Sequence, residues 1–261
     1  MLNELFERSI VCGAGAQFVL GLRASNIWYG HAHALTWVQP QLPEGFDGTS
    51  YADSGWCFVE ASLSSVIKGA AKRVDLGKFT ADELFDPGVF LAIEKCASGT
   101  RPPVCLPSRV GSMLQEKSFF ARADVDTVAK LYRDFFEAVV PWRRELVLSR
   151  LQWGPAEAME LAEALPSFVR LSTLNLNGNQ IKDEGFGAIC EAVQSNKETK
   201  LATLWIGDNG IGPAGAKSLA ALVAASPSLS LLYASGNPLG EEGEAALREA
   251  VEGRSGFELK V

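Results

Sequence analysis

The sequence predicts an α/β protein: a short stack of strand–helix units over residues 146–261, C-terminal to a mixed α/β region. The first observation behind this is self-similarity. Residues 171–179 (LSTLNLNGN), 201–209 (LATLWIGDN) and 229–237 (LSLLYASGN) share the pattern L-x-x-L-x-L-x-x-N, with Ala234 as a small substitute at one apolar position. Asn179, Asn209 and Asn237 lie 30 and 28 residues apart, a period typical of stacked repeats. The second observation lies in the residues after each copy. Ile181, Ile211 and Leu239 stand two residues beyond the Asn, and Gly185, Gly215 and Gly243 hold one register. Then Phe186, Ile189, Cys190 and Val193 in one unit, and Ala216, Leu219, Ala220 and Val223 in the next, form an apolar stripe at helical spacing. The third is that the N-terminal region lacks this period and mixes strand-like and helix-like runs.

Each part of the unit has a physical reason. Leu and Ile fill the space between a parallel strand and its helix, and no unit can bury that face alone, so stacking stabilises it. Asn ends the strand, where its amide can satisfy backbone groups of the turn and form a ladder with its neighbours. A degenerate first unit fits the register: Leu146 and Leu148 match Leu204 and Ile206, and residues 153–156 (WGPA) match 211–214 (IGPA). Ala158, Leu161, Ala162 and Leu165 repeat the helix stripe, while Leu151 replaces the Asn. At the other end, Glu244 and Arg248 occupy helix positions that are apolar in earlier units, as expected of a terminal helix. Residues 257–261 (FELKV) alternate like a last edge strand.

On these residues, 146–261 resembles the leucine-rich repeats of the ribonuclease-inhibitor type. The resemblance implies a curved solenoid whose concave strand face binds other macromolecules; it implies neither an enzyme activity nor a particular ligand. Alternation along the strands points Thr173, Asn175 and Asn177, then Thr203, Trp205 and Gly207, then Leu231, Tyr233 and Ser235 away from the core. Trp205 and Tyr233 occupy equivalent positions and are expected to stack across adjacent strands, making a binding hot spot. The expected partner contacts are Thr173, Asn175, Thr203, Trp205, Asp208 and Tyr233. The competing reading buries this face under the N-terminal region.

Composition narrows the function classes. The chain of 261 residues is 47% hydrophobic and carries a net charge of −7, so it has no basic footprint for nucleic acid. Its mean hydropathy is +0.07, that of a globular chain. Five cysteines (Cys12, Cys57, Cys96, Cys105, Cys190) in no C-x-x-C spacing read as reduced thiols in a cytoplasmic protein. His31 and His33 could share a strand face, but no Cys or carboxylate flanks them, so no metal site is expected. Ser9 to Leu22 is an uncharged run of fourteen residues, too short to span a bilayer, and Glu4 and Glu7 before it are wrong for a secretion signal. A buried helix is expected there.

Residues 26–50 read as a strand, ending near Val38, that runs into a loop punctuated by Pro40, Pro43, Gly45 and Gly48. Ser54 or Asp53 can cap a helix whose apolar face carries Trp56, Val59, Leu63, Val66 and Ile67. Glu60 projects from the apolar side, where a carboxylate is costly unless paired or open to a cleft. Residues 51–60 (YADSGWCFVE) resemble the third-helix motif of Toll/interleukin-receptor (TIR) domains, especially plant-type ones. The resemblance implies that Glu60 would be catalytic in cleaving the nicotinamide–ribose bond of NAD, holding the ribose hydroxyls as positive charge develops on the sugar. NAD would then be a substrate, and no cofactor is expected under either reading. The opening strand and glycine-containing second loop of that domain have no counterpart here, so an incomplete TIR-like domain is the form this alternative takes.

Val74 to Leu76 reads as a short strand, and Phe79 to Ala97 as holding a short helix. Three prolines make 101–107 (RPPVCLP) an extended connector. Asp124 starts a helix with a wide apolar stripe (Val125, Val128, Leu131, Tyr132, Phe135, Phe136, Val139) that Pro141 ends, and this helix is expected to cover the N-terminal end of the stack. The division is therefore 1–122 mixed α/β, 123–145 capping helix and connector, and 146–261 repeats. The function expected is a protein-binding scaffold without nucleic-acid or membrane partners. The alternative is a TIR-like NAD glycohydrolase or signalling domain that the repeats regulate.

Overall fold

The computed structural model describes residues 34–38, 48–69, 72–78, 95–97, 101–196, 198 and 200–261. The run 9–22, Cys12, His31, His33 and most of the helix expected in 79–97 lie outside these residues.

The repeated Leu positions line up as one ladder. Strands β3 (Glu145–Val147), β4 (Thr173–Asn175), β5 (Thr203–Trp205), β6 (Leu231–Tyr233) and β7 (Glu258–Lys260) form a five-stranded parallel sheet in that order. Leu146, Leu174, Leu204, Leu232 and Leu259 are direct register partners. The first four are buried; Leu259 on the edge strand is half-buried. Each strand but the last leads to a helix: α4 (Pro155–Ala164), α5 (Lys182–Ser195), α6 (Pro213–Ala225) and α7 (Gly240–Val251), numbered after three N-terminal helices given below. Parallel strands need such crossovers. Residues 146–261 thus fold as the repeat units read from the sequence.

The recurrent glycines are close-approach positions between helices. A Cβ on Gly185 would stand 2.8 Å from Pro155 Cα and 2.9 Å from Ala158 Cβ, and one on Gly243 2.6 Å from Ala216 Cβ. The Asn ladder also forms. Asn179 Oδ1 accepts from the N–H groups of Leu151 (2.9 Å) and Trp153 (3.2 Å), and its Nδ2 donates to the carbonyls of Leu148 (2.9 Å) and Leu176 (2.7 Å). Asn237 repeats the pattern with Asn209, Ile211, Ile206 and Ala234. Asn209 donates from Nδ2 to three carbonyls, while its buried Oδ1 has no hydrogen-bond donor.

In the N-terminal region, β1 (Thr36–Val38) and β2 (Arg73–Asp75) pair in parallel across helix α1 (Gly55–Ile67), a βαβ unit. Ser54 caps α1, its hydroxyl accepting from Cys57 N–H at 3.5 Å, and Val59, Leu63 and Val66 are buried as the stripe requires. The proline-rich connector is extended over 101–106, but Pro107 opens a helix, α2 (Pro107–Leu114), where the three prolines predict only connector. Proline fits the first helical turn because its missing N–H has no partner to lose there. Helix α3 (Asp124–Val139) packs on α1 and α2, burying Val125, Val128, Tyr132 and Phe136. Tyr132 Oη donates to the Cys105 carbonyl at 2.8 Å.

Two arginines join this region to the stack. Arg101 donates to the carbonyls of Lys68 and Val147, and Arg143 to those of Ile67 and Glu145. Both therefore bridge the last carbonyls of α1 to the outer edge of β3. A cation at a helix C-terminus is also favoured by the backbone dipoles. Arg109 of α2 pairs with Glu160 and Glu163 of α4. One apolar core runs from Val59 to Leu247. At the far end, Arg254 donates to the carbonyls of Val223 (2.7 Å), Ser226 (3.0 Å), Pro227 (3.3 Å) and Leu229 (2.5 Å), with its guanidinium 4.7 Å over the Phe257 ring. Glu244 and Arg248, the polar substitutes on the terminal helix, form an ion pair at 2.7 Å. No helix among the described residues is long and apolar enough to cross a membrane.

Candidate functional site

Strand register decides which outward side chains become neighbours. Asn175, Trp205 and Tyr233 are direct register partners in one row across β4, β5 and β6, and Thr173, Thr203 and Leu231 form the row before it. All six are half-exposed, while the alternate Leu positions between them are buried. The Trp205 and Tyr233 rings pack at 5.2 Å between centroids and 32° between planes, within the range in which aromatic pairs add about 0.5–1.5 kcal/mol beyond area burial. Five of the six residues singled out as contacts thus share one surface.

The sixth, Asp208, sits apart from these rows on the turn after β5, exposed and with φ of 53°. Its carboxylate lies over Gly236 of the next unit, where a Cβ would approach Asp208 Cγ to 2.9 Å. Gly207 faces the outward side, as the alternation reads, but it is buried there. The Tyr233 ring covers it, and a Cβ there would stand 2.9 Å from Tyr233 Cδ1 and from the Ser235 carbonyl oxygen. An aromatic residue lying over a glycine on the neighbouring strand replaces the packing that the glycine lacks. The sequence carried that signal, in the Gly of one unit set beside the Tyr of the next.

Polar groups near the rows are partly engaged. Asn175 Oδ1 accepts from Asn177 N–H at 3.1 Å, and Asn177 Oδ1 accepts from Gly207 N–H at 2.6 Å. These bonds fix the turn beyond the strands and leave the Thr173, Thr203 and Trp205 side chains as the adaptable surface. Charge collects only at the margins, with Glu145 on β3 and the Glu258–Lys260 pair (2.8 Å) on β7. The arrangement provides stacking and hydrogen bonding. It presents no nucleophile–base pair, and no group of three or more His, Cys, Asp or Glu placed to hold a metal occurs among the described residues.

Glu60 belongs to a different neighbourhood. It is half-buried on α1, close enough to Tyr51 to influence its ionisation. Burial raises the Tyr51 pKa, the Arg73 charge opposes this, and the charges of Cys57 and Glu60 add to it. Arg73 itself is pushed down by burial, with Tyr51 and Asp75 acting the other way. The two bridging arginines, Arg101 and Arg143, were not singled out from sequence. Nothing local marks them, because their partners are carbonyls from distant segments.

Comparison with known proteins bears on the class. A family model described as "Leucine Rich repeat" matches residues 171–190 and 198–220, the two central units. The C-terminal segment is accordingly a leucine-rich-repeat segment of the ribonuclease-inhibitor type. Similar curated proteins include NACHT, LRR and PYD domains-containing protein 5 of Bos taurus, 32% identical over 106 residues (41% of this chain, 10% of that protein). Ribonuclease inhibitor of Sus scrofa is 31% identical over 97 residues (37% of this chain, 21% of that protein). The matches thus span about a tenth and a fifth of the length of those relatives. None of these findings supports the TIR resemblance of residues 51–60.

Proposed function

We propose that this chain is a protein-binding module that takes its partner on the outward rows of the parallel sheet. Thr173, Asn175, Thr203, Trp205 and Tyr233 make the contact, and Asp208 stands at its rim. The observation that carries this reading is the stacked, half-exposed Trp205–Tyr233 pair in a row whose charge, Lys260, lies at the β7 edge. Trp and Tyr on a rigid sheet supply large contact area with little conformational entropy to lose, which is why such residues dominate interface energetics. In this reading residues 146–261 curve as a short solenoid with the rows on the concave side, 123–145 cap and connect it, and 1–122 form a mixed α/β region. A relative named as an inhibitor of ribonuclease acts, by that name, on another protein, and a protein partner is the corresponding reading here. The location that fits is the cytoplasm, where the free cysteines Cys57, Cys96, Cys105 and Cys190 would stay reduced.

The test is site-specific photo-crosslinking. A photoreactive phenylalanine analogue at Asn175 should give an adduct of discrete mass, and Trp205→Ala with Tyr233→Ala should abolish it. The same analogue at Lys217, exposed on α6, should give none. Equal adducts from both positions, or an adduct at Asn175 that survives the double substitution, would overturn the reading.

A further inference from the structure

A second surface lies at the entry to the strands, on the rim opposite the turns. The hydrogen-bond ladder continues one residue before the strands: Ser172 N–H donates to the Arg144 carbonyl, Ala202 N–H to Ser172, and Ser230 N–H to Ala202, each at 2.8 Å. Arg144, Ser172, Ala202 and Ser230 are therefore adjacent across the sheet, and Trp142, Arg170 and Lys200 stand two residues before three of them on the segments that enter the strands. Trp142 is 62% exposed. The Arg170 guanidinium lies 4.0 Å over its ring, and Arg170, Lys200 and Arg144 are exposed.

These three cations form no ion pair among the described residues, although the chain carries 31 carboxylates against 24 Lys and Arg. Glu145 and Glu198, the closest carboxylates in sequence, are exposed and unpaired with them. Lys200 also lines a cleft of about 380 Å³ whose walls are Val193, Gln194, Leu201, Ala225 and Pro227. An exposed Trp stacked on Arg and cations without an ion pair among the described residues thus stand at the entries to neighbouring strands, and Lys200 adjoins a partly apolar cleft.

We propose that this rim docks an acidic peptide segment in extended form. Its carboxylates would pair with Arg144, Arg170 and Lys200, Trp142 would cover its backbone, and an apolar side chain would enter the cleft. Charge complementarity argues for this occupant: Arg144, Arg170 and Lys200 are exposed without an ion pair among the described residues, and an anionic segment supplies the missing partners. Nucleic acid is the poorer fit, because the cleft walls of Val193, Leu201, Ala225 and Pro227 suit an apolar side chain and offer a phosphate backbone nothing.

The test uses the whole chain and a short fluorescein-labelled peptide with Glu at alternate positions and a central Leu, followed by fluorescence anisotropy. Saturable binding should weaken with added salt. Arg170→Glu with Lys200→Glu should lower the affinity at least about tenfold, the effect of turning attractive contacts into repulsive ones. Lys217→Glu should change it less than about twofold. Trp205→Ala with Tyr233→Ala should leave it unchanged, so failure here is distinct from failure of the sheet-face reading. The proposal falls if the Lys-for-Glu peptide binds equally, if no saturable binding occurs, or if the charge reversals leave affinity unaltered. It also falls if a single-stranded oligonucleotide binds more tightly than the peptide at the same salt.

Discussion

Replacing Asn179 by Ala tests the central geometry of the stack. The Asn179 side chain is 5% exposed and satisfies four backbone groups: the N–H groups of Leu151 and Trp153 and the carbonyls of Leu148 and Leu176. Alanine leaves all four without that partner, and an unmade buried bond costs about 1–3 kcal/mol. The vacated space suits about one water, which can restore two or three of the bonds. The one or two bonds left unmade should therefore cost about 1–6 kcal/mol, a large part of the roughly 5–15 kcal/mol that holds a domain folded. Asn237 makes the same four bonds in a half-buried setting. Bulk water reaches its partners more easily, so Asn237→Ala should cost only about 1–2 kcal/mol. Urea unfolding followed by far-ultraviolet circular dichroism measures both. A cost below about 1 kcal/mol for Asn179→Ala, or the reverse order of the two, would refute the idea that the ladder bonds hold adjacent units together.

Gly207→Val should dislodge the Tyr233 ring that lies over it, costing about 1–3 kcal/mol as overpacking does. The intrinsic tryptophan emission should shift as the Trp205 stack opens, and an unchanged spectrum would contradict the packing. Thiol labelling should distinguish the cysteines. Burial raises the Cys105 thiol to about 12, with the Glu160 charge adding to the rise and Arg109 opposing it. Burial raises the Cys190 thiol as well, with the Glu191 charge adding to it. Both should react far more slowly at neutral pH than half-exposed Cys57, read by mass spectrometry after a maleimide pulse. For the NAD alternative, incubation with NAD should release no nicotinamide beyond the blank. Release that disappears in Glu60→Ala would instead revive the enzymatic reading.

How far the sequence could be read depends on where each residue's partners lie. The repeat was legible because a unit that contacts its copy must reuse the same residue types at the same offsets: Leu174, Leu204 and Leu232 share one environment. The Trp205–Tyr233 stack came from that register alone. Helix α2 was not legible because proline reads as a breaker, although Pro107 occupies the turn where it is harmless. The burial of Gly207 was not legible, because alternation gives a side and says nothing of what a neighbouring strand lays over it. The TIR resemblance drew on one short stretch, and the βαβ unit that contains it is common to many folds.

The same distinction explains the arginines at the two ends of the stack, which no local pattern announced. A parallel strand at the end of a sheet leaves carbonyls unpaired on its outer side, and those groups invite association with another chain. At β3 the missing neighbour is replaced by guanidinium groups, Arg101 on Val147 and Arg143 on Glu145, and each also holds a terminal carbonyl of α1. At the other end Arg254 gathers four carbonyls from the helix-to-strand turn of the preceding unit. Arginine suits both places because several donors in a fixed fork can satisfy carbonyls from separate segments at once. Arg101→Met should therefore cost more than an ordinary surface substitution, because Val147 and Lys68 lose a shared partner inside the core. Hydrogen exchange should show the loss at two places distant in sequence, the end of α1 and the start of the stack. Loss of protection at only one of them would mean that the arginine belongs to a single segment and does not join the two.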